Sequence, residues 1–584
     1  MSMCSWLRFF FLLFMFPFSD AMFHKRARRT RTQEPGADRM KDHFEELFLS
    51  NQLSAEEVRD MFEDGAALNM HGMKNFARAG NFGKHRQNVA RDMLRKSIKK
   101  NKNGWPPLYF ITVPAYDTGT QTRKLVKLPL LLPHEIVYCF SKRDDGQTLL
   151  GEEGMAACTK KHMARCRVEL ATPDLIGVGL WGDGVPCNFD KSQSLEVLTL
   201  NFPGLCNDDS TSSSNLRVPI TAINKKFVIK DETWEAVFQV IAWSFGVLAT
   251  GQMPSVDHVG REFTGQRLKW AGQACPPGVL CEIRGDWSFY KSVFRFPQHN
   301  ENAGICWKCN CTPSTYRQVG EDAPWRQNSL THFDLIARQL DLGLLPSSLF
   351  GCPCLRSDCF LPDWLHAVDH GISPHFLAAL FKYILPKLPG NNNDERCRAL
   401  FLDIKEYYQT ANVTSRLDNL TMKMLGSKTT APPMLRSKAA ECRDLVPYGL
   451  LVARRLLDPG DAVENTMIKA AFHLCECYKN LSVSAFSALS LKTNSRLFCT
   501  LLCALETSFG DKSKWHVTPK MHLFQELAEE MASCPSLIWT YRDEDMGGTL
   551  MQQSRRRGSS NNLRATAQSL LYKLIALNAV PYLS

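Results

Sequence analysis

Two aspartates occupy matching positions where the chain reads as strands. Asp183 lies in Gly182-Asp183-Gly184 after the apolar run Leu175–Trp181, and Asp286 lies in Arg284-Gly285-Asp286 after Val279–Ile283. Glycine beside each lets backbone approach a ligand closely, and ligands of open α/β sheets gather at the carboxyl ends of strands. Two carboxylates converging there would suit Mg²⁺, which takes oxygen ligands and keeps positions for water and substrate phosphate. The same Asp-Gly pairs would equally cap turns. A third acidic group, Asp543-Glu544-Asp545, stands between Arg542 and the run Ser554-Arg555-Arg556-Arg557. Acids at a helix start suit its dipole without any function. Here they would also set a metal ligand beside phosphate-binding cations.

Cysteine supplies the second candidate chemistry. Cys306-x-x-Cys309 has zinc-knuckle spacing, but among 21 cysteines in 584 residues a lone pair of this kind decides little. Its company adds weight: Cys311, Cys352-x-Cys354 and Cys359 fall in the same loop-rich stretch. Four thiolates around Zn²⁺ would stabilise such a segment, with Cys306, Cys309, Cys352 and Cys354 as the expected ligands and Cys311 and Cys359 as alternates. Buried free thiols, and after them disulfides, are the competing readings. Asp363-x-x-His366-x-x-Asp369-His370 places polar groups along one helical face. His366 and His370 have the spacing of HExxH zinc hydrolases, but Ala367 stands where the general-base glutamate belongs, so protease chemistry is not expected. Lys520 and His522, just after Pro519, open a helix and could meet phosphate. No P-loop, dinucleotide glycine fingerprint or G-x-S-x-G elbow is present, which leaves nucleotide-driven, NAD-dependent and α/β-hydrolase chemistry without support.

The elements that must position these residues change character along the chain. Residues 38–107 read as helical, with a capping box at Ser54–Glu57 and eight Lys/Arg between Lys84 and Lys102, and Pro106-Pro107 closes them. Short strands are expected at Leu108–Pro114, Lys124–Leu132, Ile136–Phe140, Leu175–Trp181, Ser194–Asn201, Leu216–Ile223 and Val279–Ile283, with a long apolar helix over Thr233–Thr250. Residues 300–360 are cysteine-rich, 361–535 almost wholly helical, and 536–584 hold a short strand, the acidic cluster and two helices. The fold class is therefore α/β plus all-α, with a mixed-sheet core spanning 108–299 and resumed at 536–584.

Composition is that of a globular protein: 44% hydrophobic and 22% charged, with 70 Lys+Arg against 59 Asp+Glu for a net charge of +11. The surplus suits a polyanion. The amino terminus carries two incompatible addresses. Phe9–Phe18 followed by Ser19-Asp20-Ala21 has the form of a secretory signal over residues 1–21, too short to span a bilayer, and His24–Arg31 is a basic cluster of the nuclear-import kind. Residues 1–37 are expected to be a disordered tail. The nucleus is the favoured location, with the secretory pathway as the alternative and no stable membrane insertion.

Taken in order, these motifs resemble a cut-and-paste DNA transposase of the RNase H-like, Asp-Asp-Glu type, nearest to the Kyakuja–Dileera–Zisupton, Plavaka and CACTA-like groups. The likeness runs from about residue 170 to 560. It rests on Gly182-Asp183-Gly184, Gly285-Asp286, Cys306-Trp-Lys-Cys309, Asp363-Trp-Leu-His366 with Gly371, Pro519-Lys-Met-His-Leu523, and Tyr541-Arg-Asp-Glu544 with Met546-Gly547. The resemblance implies an RNase H-like core and two Mg²⁺ (or Mn²⁺) ions held by Asp183, Asp286 and Glu544. His366 and His522 would assist, and Lys520, Arg555, Arg556 and Arg557 would hold DNA phosphate. Asp363, Asp369, Asp543 and Asp545 remain alternates for the third acid. It further implies double-stranded DNA as partner, assembly of copies on DNA and no nucleotide cofactor. The separation of 258 positions between Asp286 and Glu544 fits a large helical insertion. No N-terminal DNA-binding zinc finger is evident, and with the leading apolar run this suggests a truncated or decayed copy, or a domesticated gene. Metal-dependent DNA cleavage and strand transfer is the activity the resemblance implies, and a catalytically inactive DNA-binding relic is the alternative. A secreted or organelle-targeted protein is the further alternative.

Overall fold

A computed structural model of the chain describes residues 36–81, 87–101, 104–188, 190–205, 217–299, 301, 304–426, 431–530, 532–555 and 562–577. The amino-terminal apolar run and basic cluster, Arg556 and Arg557 lie outside the described residues. The chain is mixed α/β and mostly helical, with nineteen α-helices and two small sheets among the described residues. No helix among these residues is long and apolar enough to cross a membrane.

The first sheet is the hairpin β1 (Tyr109–Asp117) and β2 (Thr122–Leu130), whose turn is held by the Asp117 carboxylate accepting from the Gly119 N–H at 2.8 Å. The second has four strands: β3 (Ile176–Pro186), β4 (Ser194–Asn201), β5 (Arg217–Asn224) and β6 (Gly278–Gly285), in the order β5-β4-β3-β6. The β3–β4 and β4–β5 pairs are antiparallel, while β6 lies parallel to β3. A parallel neighbour requires a crossover, and the Thr233–Thr250 helix supplies it between β5 and β6. Every residue of β5 and β6 is buried, as expected of strands covered on both faces. Beyond β6, Phe360 makes one parallel bridge to Ile283, and the Leu361 N–H donates to the Ile283 carbonyl at 3.0 Å. This short edge contact sets the chain direction just before Asp363.

Two expected strands are absent. Ile136–Phe140 belongs to the helix Pro133–Ser141, where Pro133 occupies the first turn and all of the run but Cys139 is buried. A short buried run satisfies either period, and the proline at the helix start decides it. The strand expected near Leu537 is a 3₁₀ turn, Pro535–Leu537, followed by the helix Tyr541–Arg555, so Asp543 and Glu544 lie inside that helix's first turn.

Residues 365–530 form the large helical body, beginning with the π-helix Leu365–Ile372 and ending with the helix Lys520–Glu530. At the amino-terminal end, the helices Gly36–Leu49, Ala55–Ala67 and Val89–Asn101 enclose a separate small core of Phe44, Phe48, Val58, Phe62 and Met93. Ser54 and Glu57 make the expected reciprocal capping box. This bundle is fastened to the last helix, Leu563–Ala576, through Ala576 and a 3.1 Å bond from Lys573 Nζ to Asn51 Oδ1.

Glycine at 182 is required by close packing. A Cβ there would fall inside the Phe289 ring, which covers β3 from the Trp287–Phe294 helix. Gly182→Ala is expected to cost about 1–3 kcal/mol through overpacking. A urea-denaturation midpoint indistinguishable from wild type would refute this.

Candidate active site and metal clusters

The register of the parallel pair places the first two aspartates together. Gly182 of β3 pairs with Gly285, the last residue of β6, where the strands run about 4.8 Å apart, so Asp183 and Asp286 are the next residues, Asp286 just past the strand end. Asp286 also caps the Trp287–Phe294 helix, accepting from the Phe289 N–H at 2.5 Å through Oδ1. Glu544 arrives from the Tyr541–Arg555 helix, which presses Gly547 against Trp181 and Val185 of β3, with Met546 and Leu550 in the same apolar cluster. Ligand atoms of Asp183, His366 and Glu544 all lie within 4.8 Å of one another.

The electrostatics follow from this crowding. Burial, then the neighbouring Asp286 charge, raises Asp183 above the usual carboxylate range. Burial and the Asp183 charge push Glu544 well up. Glu544 Oε1 is buried without a hydrogen-bond donor. Burial alone would lower His366, but its hydrogen bond and charge interaction with Asp363, helped by Glu544 and Asp183, raise it to about 9. His366 Nδ1 is 2.6 Å from Asp363 Oδ2, and its Nε2 lies 3.6 Å from Glu544 Oε1. The imidazolium thus bridges the acidic groups.

The alternates for the third acid each have other partners. Asp363 is turned toward His366 and Thr540, accepting from the Thr540 N–H at 2.9 Å and its hydroxyl at 2.8 Å. Burial opposes ionisation of Asp363, but the His366 and Thr540 contacts outweigh it and hold its pKa below the ordinary value. Asp363 therefore orients His366. Asp543 is fully buried in a two-pronged ion pair with Arg217, at 2.8 and 3.3 Å. Asp545 is exposed and belongs to no group of clustered ligands among the described residues. Asp369 points into the helical body, accepting from the hydroxyls of Tyr541, at 2.7 Å, and Tyr478.

Burial raises Asp369 to about 7, although the tyrosine hydrogen bonds work against the rise. A carboxyl that holds its proton more tightly folded than unfolded takes up a proton on folding. Stability should therefore fall as pH rises from about 4 to about 7 and then level off. Asp369→Asn should flatten that slope. Equal losses in urea midpoint between pH 5 and 7.5 for variant and wild type would contradict this.

A cleft of about 210 Å³ opens beside the acids, lined among others by Asp286, Trp287, His299, Asp363, His366 and Lys520. Burial lowers the Lys520 ammonium, against the pull of Asp286 and Asp363, and Lys520 Nζ reaches the His370 carbonyl at 3.4 Å. Lys520 thus lines the cleft as expected of a phosphate ligand. The Arg555 side chain lies outside the described residues.

The cysteines divide into separate places. Cys306 and Cys309 are grouped with His522 and Glu526, all buried and with ligand atoms within 4.8 Å, and Cys309 Sγ is 3.3 Å from His522 Nε2. The Lys308 N–H points at Cys306 Sγ at 3.3 Å. Cys352 and Cys354 do not complete this group, and His522 serves here instead of beside the acids. Cys311 stays close: the Ile305 N–H donates to its carbonyl at 2.8 Å, and its thiol interacts with Cys309. Cys359 lies instead with His162 and Asp358. Sequence reasoning passed over His162, Glu526 and Thr540. Only His162, four residues before Cys166, carried a local signal. Compared with known proteins, the chain matches no family model and no curated protein.

Proposed function

We propose that the chain is a transposase-like, metal-dependent DNA-cleaving protein whose core is RNase H-like, with Asp183, Asp286 and Glu544 as its acidic triad. The observation that carries this reading is the meeting of three distant carboxylates. Asp183 lies in β3, Asp286 follows the last residue of the parallel strand β6 closely enough for its charge to raise Asp183, and Glu544 comes within 4.8 Å of Asp183 and His366 across the helical body. The buried, donor-free Oε1 of Glu544 and the raised pKa values of Glu544 and Asp183 fit a site made to receive cations.

Bound there, Mg²⁺ or Mn²⁺ would supply activation of the attacking oxygen and charge stabilisation at the leaving oxygen. The chain's own residues do the rest. Lys520 meets a phosphate in the cleft, and Asp363 fixes His366 so that Nε2 faces Glu544. Protonated His366 can deliver a proton to the leaving 3′-oxygen as water bonds to phosphorus and the P–O3′ bond breaks, the attacking water giving up a proton to solvent. The +11 net charge supports a DNA partner, and a DNA substrate supports the nucleus as the place of action. Zn²⁺ at Cys306, Cys309 and His522, with Glu526 or Cys311 as fourth ligand, would fasten the cysteine-rich segment to the Lys520–Glu530 helix.

A second reading, a DNA-binding relic without catalysis, is favoured by one observation: the His366 imidazolium already offsets the acidic charge. Nicking of supercoiled plasmid in Mn²⁺ separates the two. Cutting by wild type, abolished in Asp183→Asn and Glu544→Gln, supports the nuclease. DNA bound in a salt-sensitive manner but never cut supports the relic.

A further inference from the structure

Among the described residues, outside the acidic site and the Cys306 group, a further cluster of soft ligands is assembled from two distant parts of the chain. His162 and Cys166 are one turn apart on the helix Ala157–Glu169, with Cys166 Sγ 3.1 Å from His162 Nε2. The turn Ser357–Cys359 brings Cys359 Sγ to 3.6 Å from the same nitrogen. The Cys354 thiol interacts with that of Cys166. We propose that His162, Cys166, Cys354 and Cys359 form a structural Zn²⁺ site, distinct from the one at Cys306 and Cys309.

Spacing supports the assignment. Ligand atoms 2.0–2.3 Å from a tetrahedral ion stand about 3.6 Å apart, close to the Nε2–Sγ separations here. Three thiolates and one imidazole form a closed, soft set that selects zinc over magnesium or calcium. Cys166 and Cys359 are buried, and Cys354 is partly so. Cys354 also holds a left-handed backbone, φ 61°, which is costly for a residue with a Cβ.

The surroundings supply the second layer of contacts. Arg165 Nη1 is 3.1 Å from Asp358 Oδ2, while its Nη2 lies 2.6 Å from His162 Nδ1. With zinc on Nε2 the imidazole proton sits on Nδ1, so Arg165 must move off that nitrogen and onto Asp358. Asp358, whose oxygen lies within 4.8 Å of the imidazole ligand atom, then accepts the Nδ1 proton in the carboxylate–histidine–zinc pattern. Arg165 and Arg356, each close to Glu169, add the positive charge that three thiolates on one dication call for. The site would fasten the Ala157–Glu169 helix, which packs on β6, to the turn preceding Phe360, whose bridge to Ile283 leads into Asp363. Zinc here would therefore brace the edge from which Asp363 and His366 project.

The test is the zinc content of the full chain, purified without chelator and measured by mass spectrometry of the metal. Two zinc ions per chain are expected. Cys359→Ser and Cys166→Ser should each lose one, Cys309→Ser should lose the other, and His162→Cys should keep both. A single zinc lost in Cys359→Ser but kept in Cys309→Ser would support this site while removing the Cys306 one. Zinc content unchanged in Cys359→Ser, or a single zinc lost only in Cys309→Ser, would overturn the proposal. Should the serine variants fail to fold, the cobalt-substituted wild type decides. Thiolate-to-cobalt absorption for Cys166, Cys354 and Cys359 in addition to Cys306 and Cys309 supports the site, and absorption for Cys306 and Cys309 alone overturns it.

Discussion

Asp286→Asn is expected to leave the protein folded and DNA-bound while cleavage falls about a thousandfold. The two halves of this result come from two roles of one side chain. As the cap of the Trp287–Phe294 helix, Asp286 accepts from the Phe289 N–H through a single oxygen. Asparagine presents an oxygen of the same geometry and ranks with aspartate as a cap, so helix stability should change little. As a ligand for a dication, however, the side chain needs its charge. Metal assistance contributes several kcal/mol to the transition state, and each ~1.4 kcal/mol is tenfold in rate, which gives about three orders of magnitude. Asp286→Ala serves as the contrast, because it removes charge and cap together and should lower the melting temperature as well. The decisive pair is plasmid nicking in Mn²⁺ beside DNA binding by gel shift. An Asp286→Asn protein that cuts like wild type would remove Asp286 from the site.

How much of this was legible in the sequence depended on whether the information was local. The strand Ser194–Asn201 and the helix Thr233–Thr250 coincide with their expected limits, since each has one clear period bounded by polar or turn residues. Asp183 and Asp286 were readable as a pair because each ends an apolar run beside glycine, a local pattern that the sheet register then juxtaposes. Where a short segment satisfied both periods, as at Ile136–Phe140, tertiary burial and Pro133 decided for helix. The cysteines show a different limit. Spacing along the chain groups Cys306 and Cys309 with Cys352 and Cys354, but ligand sets close in space, and it is His522, more than 200 residues onward, that reaches Cys309. His522 looked like a phosphate ligand only because it neighbours Lys520. On a helix, residues two apart point to different sides, and here Lys520 faces the acidic cleft while His522 faces the thiols.

The acidic triplet illustrates the same point at single-residue scale, and the second large prediction follows from it. Asp543 and Glu544 are neighbours in sequence with opposite tasks. Asp543 is wholly buried, held by Arg217 of β5 and within 3.7 Å of Arg284 of β6. Arg284 is itself paired with Glu282 at 2.6 Å and donates to the Leu537 carbonyl at 3.0 Å. Two strands of the sheet thus grip the first turn of the Tyr541–Arg555 helix through one carboxylate, and the next residue is thereby aimed at Asp183. Removing one member of such a buried set leaves cations desolvated without a counter-charge. Asp543→Ala should therefore destabilise the protein by about 3–5 kcal/mol, far more than the loss of an exposed ion pair. Glu544→Gln should behave in the opposite manner. Burial and the Asp183 charge both disfavour an ionised Glu544, so a neutral side chain there should leave stability unchanged or raise it while cleavage is lost. Thermal and urea denaturation of the two variants, read beside nicking, distinguish the residue that holds the helix from the residue it presents. Equal stability for Asp543→Ala and wild type would mean that the Arg217–Asp543 grip does not set the position of Glu544.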